Sequence, residues 1–129
     1  MSLASMLKVM VVDDHVTSRM LTVEALQSFG ITNVGVAKDG REAFTKLVNN
    51  PVHLTVSDLY MPDVNGLQLL KAVRAHPKIG KSGFIILTGK KDNAVVNQAA
   101  QLGANFVLAK PINGELLKRS IEAVVGKLD

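Results

Sequence analysis

Five polar side chains stand where short apolar segments give out, and their types belong together chemically. Asp13 and Asp14 follow Val9-Met10-Val11-Val12, and Asp58 follows Leu54-Thr55-Val56-Ser57. Thr88 follows Phe84-Ile85-Ile86-Leu87, and Lys110 follows Phe106-Val107-Leu108-Ala109. If the first and third of these segments run side by side, three carboxylates share one pocket. Like charges so close raise one another's pKa, so a cation must compensate. Carboxylate oxygens suit a hard ion such as Mg²⁺, which keeps several waters and recruits phosphate oxygens. An aspartate is also a competent nucleophile for phosphoryl transfer. The metal, the lysine and the hydroxyl would neutralise and orient the three phosphoryl oxygens. The chemistry pointed to is a phosphoryl group carried on Asp58, with metal held by Asp13 and Asp14.

The elements that must position these groups alternate along the chain. Lys8–Val12 is a short apolar strand, and Val16, Met20, Val23, Leu26 and Phe29 follow at helical spacing up to Gly30. A second strand is expected over 34–37. Asp39 with Glu42 resembles a capping box before Ala43, Phe44, Leu47 and Val48, and Pro51 closes that helix. A third strand over 54–57 leads into a loop over 58–65, then a helix marked by Leu67, Leu70 and Val73. A fourth strand over 84–87 precedes a helix over 94–102 that Gly103 ends. After the strand Phe106–Ala109, Leu117, Ile121, Val124 and Leu128 stripe the last helix. Near-continuously apolar strands alternating with helices imply a parallel sheet covered on both faces. Ligands of such sheets sit at the carboxyl ends of the strands, where the strand order reverses.

The 129 residues suit one domain, and 47% apolar content with only 4% aromatic predicts a core of aliphatic side chains. With no cysteine there is no disulfide, thiolate metal site or thiol nucleophile, which fits a reducing cytoplasm. No apolar run is long enough to span a bilayer, and the first residues lack the pattern of a signal peptide. Residues 1–7 are expected to be a flexible N-terminus. The net charge of +4 is spread along the chain, with Lys90-Lys91 as the one tight pair, so a solvated surface explains it better than nucleic-acid binding.

Taken in order and spacing, Val12-Asp13-Asp14, Ser57-Asp58-Leu59-Tyr60-Met61-Pro62 with Gly66, Leu87-Thr88-Gly89 and Lys110-Pro111 resemble the receiver domains of two-component response regulators. Among these the chain is most similar to bacterial chemotaxis regulators. The resemblance covers about 8–128, making 1–129 a single receiver domain. It implies an α/β, doubly wound (βα)5 fold, a flavodoxin-like three-layer sandwich with parallel sheet order 2-1-3-4-5. It further implies that Asp58 is the phosphoacceptor and that Asp13, Asp14, Asp58 and the backbone carbonyl of Tyr60 hold Mg²⁺. Thr88 would respond to the phosphoryl group, and Lys110 would bridge it to the acidic pocket. The implied donor is a histidine kinase or histidine phosphotransfer protein. The implied target is a protein such as the flagellar motor switch, met by the fifth strand and the last two helices. The implied molecule is a cytoplasmic monomer that binds neither nucleic acid nor membrane and catalyses only its own phosphoryl transfer and autodephosphorylation.

One position departs from the pattern. Receivers of this kind place Tyr or Phe three residues before the lysine, where this chain has Val107. Phe106 is one residue out of phase and so faces the other side of the strand. Switching is therefore expected to rely on Thr88, Lys110 and the loop 89–93, with Phe106 packed against its helix. Asp14 could instead cap the following helix. Removing Asp13 is expected to weaken metal binding more than removing Asp14, if Asp14 acts through a water. Tyr60 is expected at the rim. His15, His53 and His76 show no ligand spacing, although His15 adjoins Asp14. Lys110-Pro111 is cis or trans. A receiver from a longer DNA-binding regulator or hybrid kinase is the alternative of the same class. A dehalogenase-type phosphatase, the alternative of another class, wants a second acid two residues after its nucleophile, where Asp58 has Tyr60.

Overall fold

A strand buried on both faces must be largely apolar, and the central strands here are, apart from Thr55, Ser57 and the polar residues at their ends. The computed structural model describes residues 2–129. Strands β1 (Lys8–Val12), β2 (Asn33–Ala37), β3 (Leu54–Asp58), β4 (Gly83–Thr88) and β5 (Phe106–Ala109) form one parallel sheet. Its order is β2-β1-β3-β4-β5, the doubly wound order expected. Every residue of β3 and β4 is buried, whereas the edge strand β2 buries only Ala37.

Six helices cover the sheet: α1 (Leu3–Met6), α2 (Val16–Ser28), α3 (Gly40–Asn49), α4 (Gly66–Ala75), α5 (Asn93–Leu102) and α6 (Gly114–Val125). Successive strand side chains point to opposite faces, so the core divides in two. Val9, Val11, Leu54, Val56, Ile85, Leu87 and Leu108 pack under α1, α2 and α6. Met10, Val12, Phe84, Ile86 and Val107 pack under α3, α4 and α5. Five helices start on a side-chain cap: Ser2, Asp39, Asn65, Asp92 and Asn113 each accept a backbone N–H three residues on. Such a cap is worth about 1 kcal/mol. The expected box at Asp39 is half formed, because the Glu42 carboxylate turns to Lys46 at 2.9 Å. The reciprocal box lies instead at Asn65 and Gln68.

Two expectations need correction. The segment expected to be flexible over 1–7 is ordered from Ser2 on, Met1 lying outside the described residues. Ser2 caps α1, and Ala4 and Leu7 are buried in the core under α2 and α6. Their burial and a hydrogen bond from the Ala4 N–H to the Leu128 carbonyl (3.0 Å) hold the segment down. The last helix ends at Val125, not at Leu128, because Gly126 takes φ +107°. Leu128 still reaches the core, with its N–H on Glu122 Oε2 at 3.0 Å. Among the described residues no helix is long and apolar enough to cross a membrane.

Candidate functional site

Parallel register brings the polar strand ends to one edge. Val12 pairs with Ser57, Asp58 with Leu87, and Thr88 with Ala109, so Asp13, Asp58, Thr88 and Lys110 emerge side by side. One ligand atom from each of Asp13, Asp14, His15 and Asp58 lies within 4.8 Å of the others. Lys110 Nζ sits 3.2 Å from Asp13 Oδ2 and 3.2 Å from Asp58 Oδ1.

The carboxylates are not equivalent. Asp58 is 6% exposed, and its Oδ1 accepts the Leu59 N–H at 3.0 Å. Both this bond and the Lys110 pair fall on Oδ1, and Oδ2 carries neither. Burial raises the Asp58 pKa above the usual carboxylate value; Lys110 opposes the shift and Asp13 adds to it. Asp13 uses both oxygens: Oδ1 accepts the His15 N–H at 2.9 Å, while Oδ2 accepts from the Ser18 hydroxyl and from Lys110. Asp14 is different. Its Oδ1 is buried with no hydrogen bond, and His15 Nδ1, 3.3 Å away, lacks the geometry for one. An oxygen desolvated without a partner is costly unless a cation takes it. The donor set, all oxygen apart from an exposed His15 ring, fits a hard ion.

The helix-cap alternative for Asp14 does not hold, since His15 is the cap residue of α2 and no side chain caps it. Both oxygens of Asp13 are thus engaged, while Asp14 keeps one oxygen without a hydrogen bond. Tyr60 is 58% exposed, and among the described residues no hydrogen bond reaches its carbonyl oxygen. His15 stands at the rim of the cluster, its side chain 73% exposed. His53 and His76 lie elsewhere, their Nδ1 atoms accepting the N–H of Lys8 and of Lys78.

Thr88 is fully buried, and its hydroxyl donates to the Lys90 carbonyl (3.4 Å) while accepting the Lys90 N–H (3.2 Å). It thus ties the end of β4 to the loop that follows. A Cβ on Gly89 would meet nothing within 4 Å, so that side of the site is open. Gly66 is the opposite case: a Cβ there would lie 2.5 Å from the Asp58 carbonyl oxygen. Only a glycine lets the start of α4 come this close to the Asp58 backbone. The Lys110-Pro111 bond is cis. Val107 packs among the core residues under α5, and Phe106 faces the other way. The expectation that Phe106 is packed is not met, for it is 36% exposed at the first position of an edge strand.

Two residues of the site escaped the sequence. Ser18 Oγ accepts from Lys110 Nζ at 2.8 Å, and Arg19 Nη1 donates to the Asp13 carbonyl at 2.8 Å. Their place one turn into α2 was the available signal, because helix side chains lean back toward the N-terminus and here toward the end of β1.

A family model described as response regulator receiver domain matches residues 9–122. The chain belongs to the response regulator receiver family. It is 48% identical over 128 residues to a probable chemotaxis protein CheY of Rhizobium etli, covering 99% of each chain. It is 31% identical to the chemotaxis protein CheY of Pseudomonas aeruginosa, covering 95% of this chain and 99% of that one. Among solved structures, the chemotaxis protein CheY4 of Vibrio cholerae superposes with a TM-score of 0.86 at 31% identity, covering 92% of this chain and 98% of that one. The chain is the receiver domain of a CheY-like response regulator, in a family that signals rather than turning over substrates. A receiver of this class works between a kinase and a downstream target in two-component signalling.

Proposed function

We propose that this receiver is a phosphorylation-activated switch in which Asp58 accepts a phosphoryl group from the phosphohistidine of a kinase or phosphotransfer protein. The observation that carries the proposal is the state of Asp58: a buried carboxylate at a strand end, held on Oδ1 by Leu59 and Lys110, with Oδ2 clear of both. Oδ2 attacks phosphorus, the P–N bond of the donor breaks, and the electron pair returns to the donor imidazole, which takes a proton from water. Lys110, already 3.2 Å from Asp58, offers its charge to the new phosphoryl oxygens. Thr88 offers its hydroxyl, and in turning toward the phosphoryl group would release Lys90 and the loop over 89–93. Asp14, Asp58, Asp13 and the Tyr60 carbonyl are the groups that would hold Mg²⁺, whose charge would offset the carboxylates and the incoming phosphate. The chemotaxis names of the similar proteins support a target in motility control, such as the flagellar motor switch, and a cytoplasmic place of work. The proposed form is a monomer, and neither nucleic acid nor membrane is among the partners proposed for this domain.

Acetyl phosphate with Mg²⁺ tests the proposal. The wild type gains the mass of one phosphoryl group, and Asp58→Asn stays unmodified on intact-mass analysis. Full labelling of Asp58→Asn would move the acceptor elsewhere and overturn the assignment.

A further inference from the structure

Serine is a poor choice inside a helix unless its hydroxyl finds work, and that work is usually a bond back to a carbonyl of the preceding turn. The chain follows this habit at Thr22, Ser28, Thr45 and Ser120, whose hydroxyls donate to Ser18, Ala25, Arg41 and Leu116 carbonyls. Ser18 does not. Its hydroxyl leaves α2 altogether, donating to Asp13 Oδ2 and accepting from Lys110 Nζ at 2.8 Å. Bonds of this kind, with an ionised partner at each end, are roughly twice as strong as neutral ones.

We propose that Ser18 is a positioning residue: its hydroxyl anchors the Lys110 ammonium over the Asp13–Asp58 pair, so that the lysine stands ready beside the phosphoacceptor. An ammonium has three protons, and here three acceptors surround it, Asp13 Oδ2, Asp58 Oδ1 and Ser18 Oγ. The lysine stem has four rotatable carbons and a strongly hydrated head, and its side chain is 20% exposed. Without the hydroxyl, one acceptor is lost and water competes for the ammonium. The Ser18 oxygen is also the one acceptor of the three that carries no charge and takes no part in the phosphoryl chemistry. It keeps its hold on Lys110 whether or not Asp58 is modified, and so serves as the pivot about which the ammonium turns from carboxylate to phosphoryl oxygen.

The consequence for rate rests on the proposed role of Asp58; the anchoring itself does not. The test therefore has two parts. In metal-free, unphosphorylated protein, the ¹⁵N-labelled Lys110 ammonium gives a proton-detected signal protected from solvent exchange. Ser18→Ala abolishes that protection, and Ser18→Thr, which keeps the hydroxyl, restores it. An unchanged Lys110 signal in Ser18→Ala overturns the proposal, whatever Asp58 does. Labelling by acetyl phosphate then slows by about tenfold or more in Ser18→Ala, as loss of a hydrogen bond to a charged group implies. In a Lys110→Ala background the same Ser18→Ala change has no further effect on the rate. An undiminished effect there would show that Ser18 acts through another route and would equally overturn the proposal. If Asp58 is not labelled in the wild type, the failure belongs to the proposed function, and the ammonium signal still decides the anchor.

Discussion

Two glycines at matched positions measure how closely the site is built. Gly66 and Gly114 are each the first residue of a helix, behind Asn65 and Asn113, whose side chains cap it. Their surroundings differ. A Cβ on Gly114 meets nothing within 4 Å, whereas one on Gly66 lies 2.5 Å from the Asp58 carbonyl oxygen and 3.0 Å from Leu59 Cα. Both obstacles are backbone, and they cannot rotate away. Replacing glycine by alanine at a compatible site gains about 0.4–1 kcal/mol by restricting the unfolded chain. Gly114→Ala should realise that gain. Gly66→Ala should realise it as well but lose about 1–3 kcal/mol to overpacking, so the two variants should differ by about 2 kcal/mol. At this chain length that separates their Tm values by about 6–10 °C. Urea denaturation and calorimetry of the two variants, with wild type alongside, give the numbers. Labelling of Gly66→Ala by acetyl phosphate should also fall, because the relief must come from the backbone that carries Asp58. Equal stability of the two variants would refute the claim that this close approach shapes the site.

Divalent-ion titration should rank the acidic pair. Asp14→Ala, which removes the unpartnered oxygen, should cost about 100-fold in Mg²⁺ affinity, and Asp13→Ala, whose oxygens are already held by His15, Ser18 and Lys110, about tenfold; the opposite order would return the larger share to Asp13. The raised Asp58 pKa has a definite sign. The stability it confers is fully present below the unfolded carboxylate pKa of about 3.9 and is lost as pH rises through the folded value. Metal-free Asp58→Asn should therefore be more stable than wild type at neutral pH in urea, with the advantage vanishing under acid; a pH-independent difference would contradict burial as the cause. Thr88→Ala removes both hydrogen bonds to Lys90, so amide exchange over 89–93 should rise in the resting protein and no longer respond to beryllofluoride, while Asp58 stays modifiable. A wild-type response of that loop would place the coupling elsewhere.

Much of this molecule is determined by local pattern. The alternation of apolar runs with helical spacing specifies five strands and the helices between and after them, because the central runs must be buried on two faces. The placing of Asp13, Asp14, Asp58, Thr88 and Lys110 directly after those runs marks the site, since parallel crossovers bring all strand ends to one edge. The helix stop at Gly126 was equally local, yet the apolar Leu128 two residues on disguised it; Leu128 is buried from a different segment. Where the atoms meet is another matter. That both oxygens of Asp13 are engaged while Asp14 Oδ1 has no partner depends on which side chains α2 and the end of β5 bring to the pocket. No residue spacing encodes the 2.8 Å contact between Ser18 and Lys110, which lie 92 positions apart. Nor does any local signal foretell that the Arg74 guanidinium binds the carbonyls of Gly80, Ser82 and Gly103, joining α4 to the loops beside β4 and β5. Sequence pattern reports which surface a residue presents; partner, distance and charge balance arise only when distant elements pack, and it is these that set the pKa of Asp58 and the hold on Lys110.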